Sequence, residues 1–544
     1  MFSRGSYFNI ARMGIAARLV ATLSFFIIMM SSAISYGVNS SADIPLDHWS
    51  YESIERLSLA GLVDISGLNT RPLTRLQMAD MIGGAIEKIQ QDRFEVHYMD
   101  TVRMERLQSI LDDLIREYKD ELAILGVDVA LDNERPEKVG LFELDYNLTS
   151  PITSYKSYAK LDGIDETLLE NRDGFRLKDG FNVRAGVHSR GNVGPFFSMS
   201  AYPVLSVSDD KTEVTFLELC AKMTVYNLEI SAGRTPLWWG PGRHGTLLLS
   251  NNALPLDMVK VRNVLPYSMP WIFKEWGKWN TAFFVSRLEK GRIVSQPYFA
   301  GLRTEYSPLP YFTVGIARTS ILRGKGRPRP SLGDYWKIFV AKSRDEFTTG
   351  EPKATDTDQL ASLDFKLCLP WGDRTSPMAT DIEIYGEWAG EDKFWFTENE
   401  SPGLLVGAYL PDIFKFKGID LCMEYAKTKS AWYTHGIYQS GYRNRGLIMG
   451  HHMGTDADDI SLSISKYFED FDALLRLQYS RERRGLSLGY PEIEDEITLD
   501  LFYRFADRVD LKMSYELENI QDYGNIVNND KKNHLFSLET DIKF

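Results

Sequence analysis

The strongest constraint on the fold is an alternation of apolar and polar residues that recurs from about Gly140 to the C-terminus. It is clearest in the stretches 140–148, 181–188, 419–425 and 509–516. Successive side chains of a β-strand point to opposite faces, so each stretch predicts a strand with one apolar and one polar face. No helical pattern interrupts this region, which indicates one long series of antiparallel hairpins.

A soluble β-sandwich also shows alternation, and two further features favour a membrane barrel over it. Many charged residues lie on the polar faces of the strands, as a wide polar lumen requires. The chain ends in a strictly alternating segment with an aromatic last residue, which resembles the recognition signal of bacterial outer-membrane barrels: Phe536, Leu538, Thr540, Ile542 and Phe544. At about 22 residues per strand and connection, residues 136–544 predict a mainly β fold, a transmembrane antiparallel barrel of roughly 18 strands.

The first 36 residues have the layout of a secretory signal peptide. Arg4, Arg12 and Arg18 precede the apolar run 19–30, and small residues follow it. The run is shorter than the ~20 apolar residues that a spanning helix needs. We therefore expect export from the cytoplasm and a mature protein in the bacterial outer membrane.

Residues 37–135 show the helical period and predict a small helical bundle. Thr74 and Gln77 have the spacing of a capping box at a helix start. Apolar stripes predict one helix before Gly61, a second over Met78–Ile89 and a third over Leu107–Leu122.

The same segment resembles a single surface-layer-homology (SLH) repeat. The resemblance rests on Asp43-Ile-Pro45, His48-Trp49, Gly61-Leu-Val63 and Arg71-Pro-Leu-Thr-Arg75. It implies a cell-wall polymer such as peptidoglycan as a further partner. The alternative, a helical cap packed on the barrel, stays open from the sequence.

The composition argues against nucleic acid as a partner and shows a high content of aromatic residues. The chain has 62 Lys and Arg against 75 Asp and Glu, a net charge of −13, so nucleic-acid binding is not expected. Aromatic residues make up 12% of the chain. A barrel needs many of them on its lipid face and in its two interface belts, where it contacts outer-membrane lipid.

Two aromatic clusters are candidates for polysaccharide binding. Tandem tryptophans lie in the Gly/Pro frame 233–243, followed by Ser250-Asn-Asn252, and the second cluster spans 432–452. Flat rings beside Arg, Asn and His donors suit sugars, although the same rings could instead pack a loop or join an interface belt. The candidates are Arg234, Trp238, Trp239, Arg243, Asn251, Asn252, Tyr433, His435, Tyr438, Tyr442, Arg443 and His451.

These two stretches resemble Wzi-type capsule assembly proteins. The resemblance rests on Trp238-Trp-Gly-Pro-Gly242 with Ser250–Asn252, and on Tyr433-x-His-Gly436 with Gly441-Tyr442 and Gly446. It implies an outer-membrane barrel with a periplasmic helical bundle and a lectin-like role in attaching or organising surface polysaccharide. Whether that polymer is a capsule or another exopolysaccharide stays open.

Catalytic, metal and cofactor motifs are weak in this sequence. No P-loop, nucleophile elbow or HExxH motif occurs. His435, His451 and His452 are more typical of loop hydrogen-bonding groups than of metal ligands. The acidic stretch Gly454–Asp459 lacks the rest of a calcium-binding loop. No enzyme activity, metal or cofactor is therefore expected.

These features are compatible with three functions. A non-enzymatic surface-polysaccharide binder is favoured. An SLH-type porin that forms a diffusion channel is the alternative from another class, and an outer-membrane hydrolase comes third.

Overall fold

The computed structural model describes residues 38–91, 101–127, 149–161, 171–209, 211–269, 275–339, 353–370, 381–391, 402–413, 416–468, 471–505 and 508–543. The predicted signal peptide, the predicted strand at 140–148 and the terminal Phe544 lie outside these residues.

Eighteen antiparallel strands form one closed barrel, which confirms the predicted fold class and strand number. In chain order the strands are β1 (Thr149–Leu161), β2 (Gly180–Val193), β3 (Phe197–Val207), β4 (Thr212–Val225), β5 (Leu228–Thr235), β6 (Leu256–Asn263), β7 (Lys278–Arg287), β8 (Tyr298–Leu309), β9 (Phe312–Leu322), β10 (Thr357–Leu369), β11 (Ile382–Glu391), β12 (Gly403–Leu410), β13 (Ile419–Lys427), β14 (Ala457–Phe468), β15 (Ala473–Arg484), β16 (Glu492–Phe505), β17 (Val509–Gln521) and β18 (Lys531–Lys543). Strand β6 resumes at Tyr267–Ser268, which pairs with the same neighbour, β7. Pairing of β1 with β18 closes the barrel, so no sheet edge is left open at this seam.

The burial pattern is the reverse of that in a soluble sandwich. On β2, Asn182, Arg184 and His188 are buried, while Phe181, next to Asn182, is 57% exposed. On β17, Glu516 is buried and Met513 is exposed. Apolar side chains thus face outward and polar ones inward, as a barrel in lipid with a polar lumen requires.

Five helices occur among the described residues: α1 (Ser50–Leu59), α2 (Arg75–Gln90), α3 (Thr101–Glu117), α4 (Lys119–Ile124) and α5 (Leu332–Phe339). The capping box at Thr74 is confirmed, since its hydroxyl accepts the N–H of Gln77 at 3.0 Å and the Gln77 side chain accepts the N–H of Thr74 at 2.8 Å. None of these helices combines the length and apolar character needed to cross a bilayer.

The third predicted helix is in fact two, α3 and α4. The break falls at Tyr118, whose φ and ψ of −110° and 20° leave helical geometry. Its ring is fully buried 4.4 Å below the Arg75 guanidinium, and its hydroxyl hydrogen-bonds Ser50 at 2.9 Å. These contacts with α1 and α2 hold the side chain inside the bundle, which the apolar periodicity alone does not indicate.

The two ends of the barrel differ. At one end the connections are short, for example 194–196, 226–227 and 310–311, and at the other they include the long segments 236–255, 323–356 and 428–456. We call these the short-turn end and the long-loop end.

Residues 38–127, the helical segment, dock at the short-turn end. The N–H of Ser40 donates to the carbonyl of Pro195 at 2.7 Å, and the N–H of Ile65 donates to that of Pro310 at 3.0 Å. The segment also reaches into the lumen, where the β8 carboxylate of Glu305 accepts the hydroxyl of Thr70 at 2.7 Å.

A buried ion cluster holds this docking in place. The Asp43 carboxylate lies 2.5 Å from Lys222 and from Arg262, and 3.5 Å from Lys260, all on the barrel wall. Burial acts to raise the pKa of Asp43, but the charges of Arg262, Lys222 and Lys260 outweigh it and hold the pKa well below its usual range. The carboxylate therefore stays ionised and links the helical segment to three cations.

Asp43→Asn is expected to destabilise the docked helical segment by about 3–5 kcal/mol, because it leaves buried cations without their partner. Thermal unfolding of the purified protein in detergent, with trypsin cleavage of residues 38–127, measures the effect. Asp47→Asn is the matched control, since the Asp47 side chain is 72% exposed and lies 3.6 Å from Lys156. Equal stability of the two variants would contradict the assignment.

Candidate functional site

The tandem tryptophans lie where two parts of the chain meet inside the barrel. Residues 236–255, which we call the first lumen loop, leave β5 and fold back into the lumen. Trp238 and Trp239 pair with Arg71 and Thr70 in a short antiparallel ladder, and the N–H of Gly240 donates to the carbonyl of Asn69 at 3.0 Å. The helical segment and the first lumen loop are thereby joined by backbone hydrogen bonds.

The Gly/Pro frame around the tryptophans is needed for close packing. Trp239 is 1% exposed, and its ring lies edge-on to Phe284 at 5.3 Å. A Cβ at Gly242 would lie 1.9 Å from the carbonyl oxygen of Gly245. Gly240 has a φ of 135°, which favours glycine, and a Cβ there would approach Glu387 to 3.0 Å.

Carboxylates on the barrel wall bind the backbone of the first lumen loop. Glu424 on β13 accepts the N–H groups of Arg243, His244 and Gly245 at 2.8, 3.2 and 3.1 Å. Glu387 on β11 accepts the N–H of Leu247 at 2.9 Å. These wall groups satisfy loop donors that water would otherwise have to bind.

Arg243 joins three parts of the molecule. Its guanidinium lies 2.8 Å from Glu55 of α1 and 3.1 Å from Glu383 of β11, and it covers the Tyr409 ring at 4.1 Å. Burial acts to lower the pKa of Arg243, but the charges of Glu383 and Glu55 raise it well above its usual value. The side chain is therefore a permanent charge between helix, loop and wall.

The second aromatic cluster also lies on a loop that folds into the lumen. Residues 428–456, the second lumen loop, pack on the first: the hydroxyl of Tyr433 donates to the carbonyl of Leu247 at 2.6 Å and accepts the N–H of His451 at 2.8 Å. The Ser250 hydroxyl donates to the carbonyl of Gly450 at 2.6 Å. The two loops thus hold each other in place.

The other two tyrosines of this loop contact the barrel wall and the connection that follows β9. Tyr433 and Tyr442 stack at 5.5 Å, and Tyr442 bonds the Thr319 hydroxyl at 2.9 Å. The hydroxyl of Tyr438 donates to the carbonyl of Arg323 at 3.1 Å. Together these rings form part of a buried core between the second lumen loop and its neighbours.

The structure separates the twelve candidates into two groups. Those that are buried among other protein groups are Trp238, Trp239, Asn252, Tyr433, Tyr438, Tyr442 and His451. The others are only partly buried or exposed: Arg234, Arg243, Asn251, His435 and Arg443.

The five candidates that are partly buried or exposed make different local contacts. Arg234 lies on the outward face of β5 and forms a double hydrogen bond with Asp257 at 2.8 Å. His435 Nδ1 accepts two turn N–H groups at 3.1 Å, and the Asn251 side chain donates to the carbonyl of Asn171 at 2.9 Å. All twelve candidates lie in the described part of the chain, and among them only Arg443 is exposed.

Arg443 belongs to a basic surface that the sequence analysis did not single out. We call the segments 171–179, 288–297, 323–331 and 441–448 the cationic rim; they contain eleven Lys and Arg against three Asp and Glu. Within it, Arg176, Lys290, Lys325, Arg329, Arg443 and Arg445 are exposed. The run Arg323-Gly-Lys-Gly-Arg-Pro-Arg329 is the sequence signal that could have indicated it.

Contacts among the four segments make the rim one continuous surface. Arg292 donates to the carbonyls of Arg443 and Gly441, and Lys325 donates its N–H to Ser295 at 2.9 Å. Burial, followed by the charge of nearby Arg176, lowers the pKa of Arg443. Proximity of like charges on a fixed frame is an arrangement that an anionic ligand would stabilise.

A polar cavity of about 180 Å³ lies between the first lumen loop, residues 171–172 and the barrel wall. Its lining is almost wholly polar: Asn171, Arg172, Arg243, His244, Gln478, Glu496, Thr498 and Glu516. A space of this size and polarity holds several water molecules.

Comparison with known proteins gives one family and a related fold. The family described as capsule assembly protein Wzi matches residues 151–535. An uncharacterized 55.8 kDa protein in the cps region of Klebsiella pneumoniae is 27% identical over 174 residues, a match that spans 31% of this chain and 31% of that relative.

The fold is similar to that of Wzi from Escherichia coli, an outer membrane protein involved in group 1 capsule assembly and described as a carbohydrate-binding β-barrel. The TM-score is 0.64 at 18% identity, covering 94% of this chain and 100% of the other. OprD from Pseudomonas aeruginosa gives a TM-score of 0.43 at 9% identity, covering 74% of this chain and 95% of that one.

Trp239→Ala is expected to lower the free energy of unfolding by about 3–5 kcal/mol, because it opens a cavity where helical segment, loop and wall meet. The thermal transition of the purified protein measures this. Trp276→Ala is the control, since Trp276 is 57% exposed and its loss removes little packing. A loss for Trp239→Ala no larger than that of the control would show that the ladder is not a packing centre.

Proposed function

The chain belongs to the Wzi family of capsule assembly proteins, and we propose that it is a lectin-like, non-enzymatic protein of the outer membrane. It attaches or organises capsular or related exopolysaccharide at the cell surface. The match of the family over residues 151–535 supports this proposal, and the closed barrel of 18 strands supports the location.

We propose that the long-loop end faces the outside of the cell. In outer-membrane barrels short turns lie in the periplasm and longer loops outside. The helical segment, which contacts the short turns at Pro195 and Pro310, then lies on the periplasmic side.

The observation that carries the proposed ligand surface is the cationic rim. A chain with net charge −13 concentrates eleven cations on four connected segments at its long-loop end. Exposed guanidinium groups bind carboxylates through paired hydrogen bonds, and repeated weak contacts suit a repeating polymer. The ligand class that fits is a polysaccharide with acidic groups, such as uronic acids.

The buried aromatic candidates have a supporting role in this proposal. Trp239, Tyr433 and Tyr442 hold the two lumen loops in one arrangement, and the second of these loops carries Arg443 and Arg445. Their rings therefore position the cationic rim, and ligand contacts come from the exposed guanidinium groups.

The porin alternative has less support. Along the described residues, the helical segment enters the lumen from one end and the two lumen loops from the other, and they meet at the Thr70–Trp239 ladder. Two residues that carry the SLH resemblance have structural partners: Asp43 binds barrel cations, and Arg75 binds Glu121 within the helical segment at 2.5 Å. This use favours a helical cap, and contact with peptidoglycan or another cell-wall polymer stays a prediction.

Replacing Arg176, Arg443 and Arg445 together by Ala is expected to release polysaccharide from the cell surface while total synthesis is unchanged. Each exposed ion pair contributes about 0.2–1 kcal/mol, so three lost contacts reduce affinity about 3- to 150-fold. Cell-bound and released polymer are measured in a deletion strain complemented with each variant.

The matched control is the triple Arg→Lys variant, which keeps the charge but loses the paired hydrogen bonds, so it should retain more polymer than the Ala variant and less than the unaltered protein. Binding of the purified protein should also weaken as salt rises, because the charges are exposed. Unchanged retention in the Ala variant, with normal amounts of folded protein in the membrane, would refute the rim as the ligand surface.

The meeting of the helical segment and the first lumen loop inside the barrel generates a separate expectation. The purified protein should give no steady single-channel conductance in planar bilayers, because these two elements occupy the lumen from opposite ends. Trp239→Ala should raise the frequency of transient openings. Steady conductance of the unaltered protein would instead support the porin alternative.

A further inference from the structure

Three histidines and an aspartate come together where the two lumen loops meet the barrel wall. His244 lies on the first lumen loop, His451 and His452 on the second, and Asp459 on β14. The ring of His452 lies 4.7 Å from that of His244 and 4.3 Å from that of His451. His451 is fully buried and Asp459 is 2% exposed.

The spacing of the side-chain atoms fits a metal ion. His244 Nε2 lies 3.2 Å from Asp459 Oδ2, and one ligand atom each from His244, His452 and Asp459 lie within 4.8 Å of one another. A tetrahedral zinc ion with bonds of about 2.0–2.2 Å holds its ligand atoms about 3.4 Å apart. The separations between ligand atoms therefore have to shorten by at most about 1.4 Å to complete the geometry.

Two neighbouring groups support a cation at this place. His452 Nδ1 is bonded to the Glu482 carboxylate at 2.5 Å, a contact that typically orients a metal-binding histidine. The second oxygen of Asp459, Oδ1, is buried and has no hydrogen-bond partner among the described residues. A buried carboxylate oxygen without a donor indicates a missing cation or water at the site.

We propose that His244, His452 and Asp459 bind one divalent transition metal ion of the Zn²⁺ class. Two imidazoles and one carboxylate favour such an ion over Ca²⁺ or Mg²⁺, which prefer oxygen ligands only. The polar cavity of about 180 Å³, which His244 also lines, supplies water for the fourth position.

The ion would link three separate parts of the chain. It ties the first lumen loop, the second lumen loop and β14 together, and Glu482 extends the link to β15. Metal binding then stabilises the closed arrangement of the long-loop end. This role is independent of the polysaccharide surface, which lies on the cationic rim.

The test uses the full-length protein purified in detergent, dialysed against EDTA and then titrated with Zn²⁺. We expect one zinc per chain by elemental analysis, and an apparent melting temperature higher by about 5 °C at saturating zinc. Protease cleavage within 236–255 and 428–456 should slow when zinc is added. Mg²⁺ and Ca²⁺ at the same concentration should have no effect.

His244→Gln and His452→Gln should each weaken zinc binding at least tenfold, as loss of one of three protein ligands requires. His534→Gln is the matched control, because His534 hydrogen-bonds Tyr515 at 2.9 Å on the barrel wall, away from this cluster. Equal zinc binding in all three variants, or less than stoichiometric zinc in the unaltered protein, overturns the proposal.

A measurement on the unaltered protein guards against misfolded variants. Co²⁺ in place of Zn²⁺ should give the strong visible absorption of a tetrahedral site. The weak spectrum of six-coordinate Co²⁺ would refute the proposed ligand set, and neither outcome depends on whether the chain binds polysaccharide.

Discussion

A barrel of 18 strands encloses a lumen whose wall carries many charged groups, and those charges must be paired wherever water is displaced. In this chain the pairing partners come from inside the lumen. Asp43 of the helical segment meets Lys222 and Arg262 on the wall, while Glu55 meets Lys366 and the loop residue Arg243. Removing either the helical segment or the first lumen loop would leave several buried charges without partners. The barrel wall and the elements inside the lumen therefore depend on each other.

The need to pair buried polar groups also explains the glycine-rich sequence around the tryptophans. A loop that enters from the long-loop end must satisfy its backbone groups without water, and it does so against Glu424, Glu387 and the Thr70–Arg71 segment. Glycines allow the close turns, and Trp239 fills the remaining space beside Phe284. The tryptophan motif therefore joins the helical segment to the first lumen loop. This packing role explains the two rings, which the sequence alone presents as candidates for sugar contact.

The sequence predicted the barrel well, because strand alternation is a local property. Phe181 and Asn182 fall on the predicted apolar and polar faces, and the spacing of hairpins gave the strand number. The contents of the lumen could not be predicted in this way. Contacts such as Glu55 with Lys366 join residues more than 300 positions apart, and no periodicity encodes them. His244 lies outside the histidine-rich stretch, so its approach to His452 was equally invisible. The cationic rim is indicated by the charge pattern of residues 323–329, whereas the aromatic clusters indicate the buried contacts of the lumen loops.

The ladder between Thr70–Arg71 and Trp238–Trp239 has a thermodynamic consequence. The helical segment and the first lumen loop, which enter the barrel from opposite ends, share this ladder. Their docking equilibria are therefore linked. Where docking of the helical segment changes the affinity of the long-loop end for a ligand, that ligand changes the docking free energy by the same amount. Ligand occupancy at the long-loop end and docking at the short-turn end are then two measures of one coupling free energy.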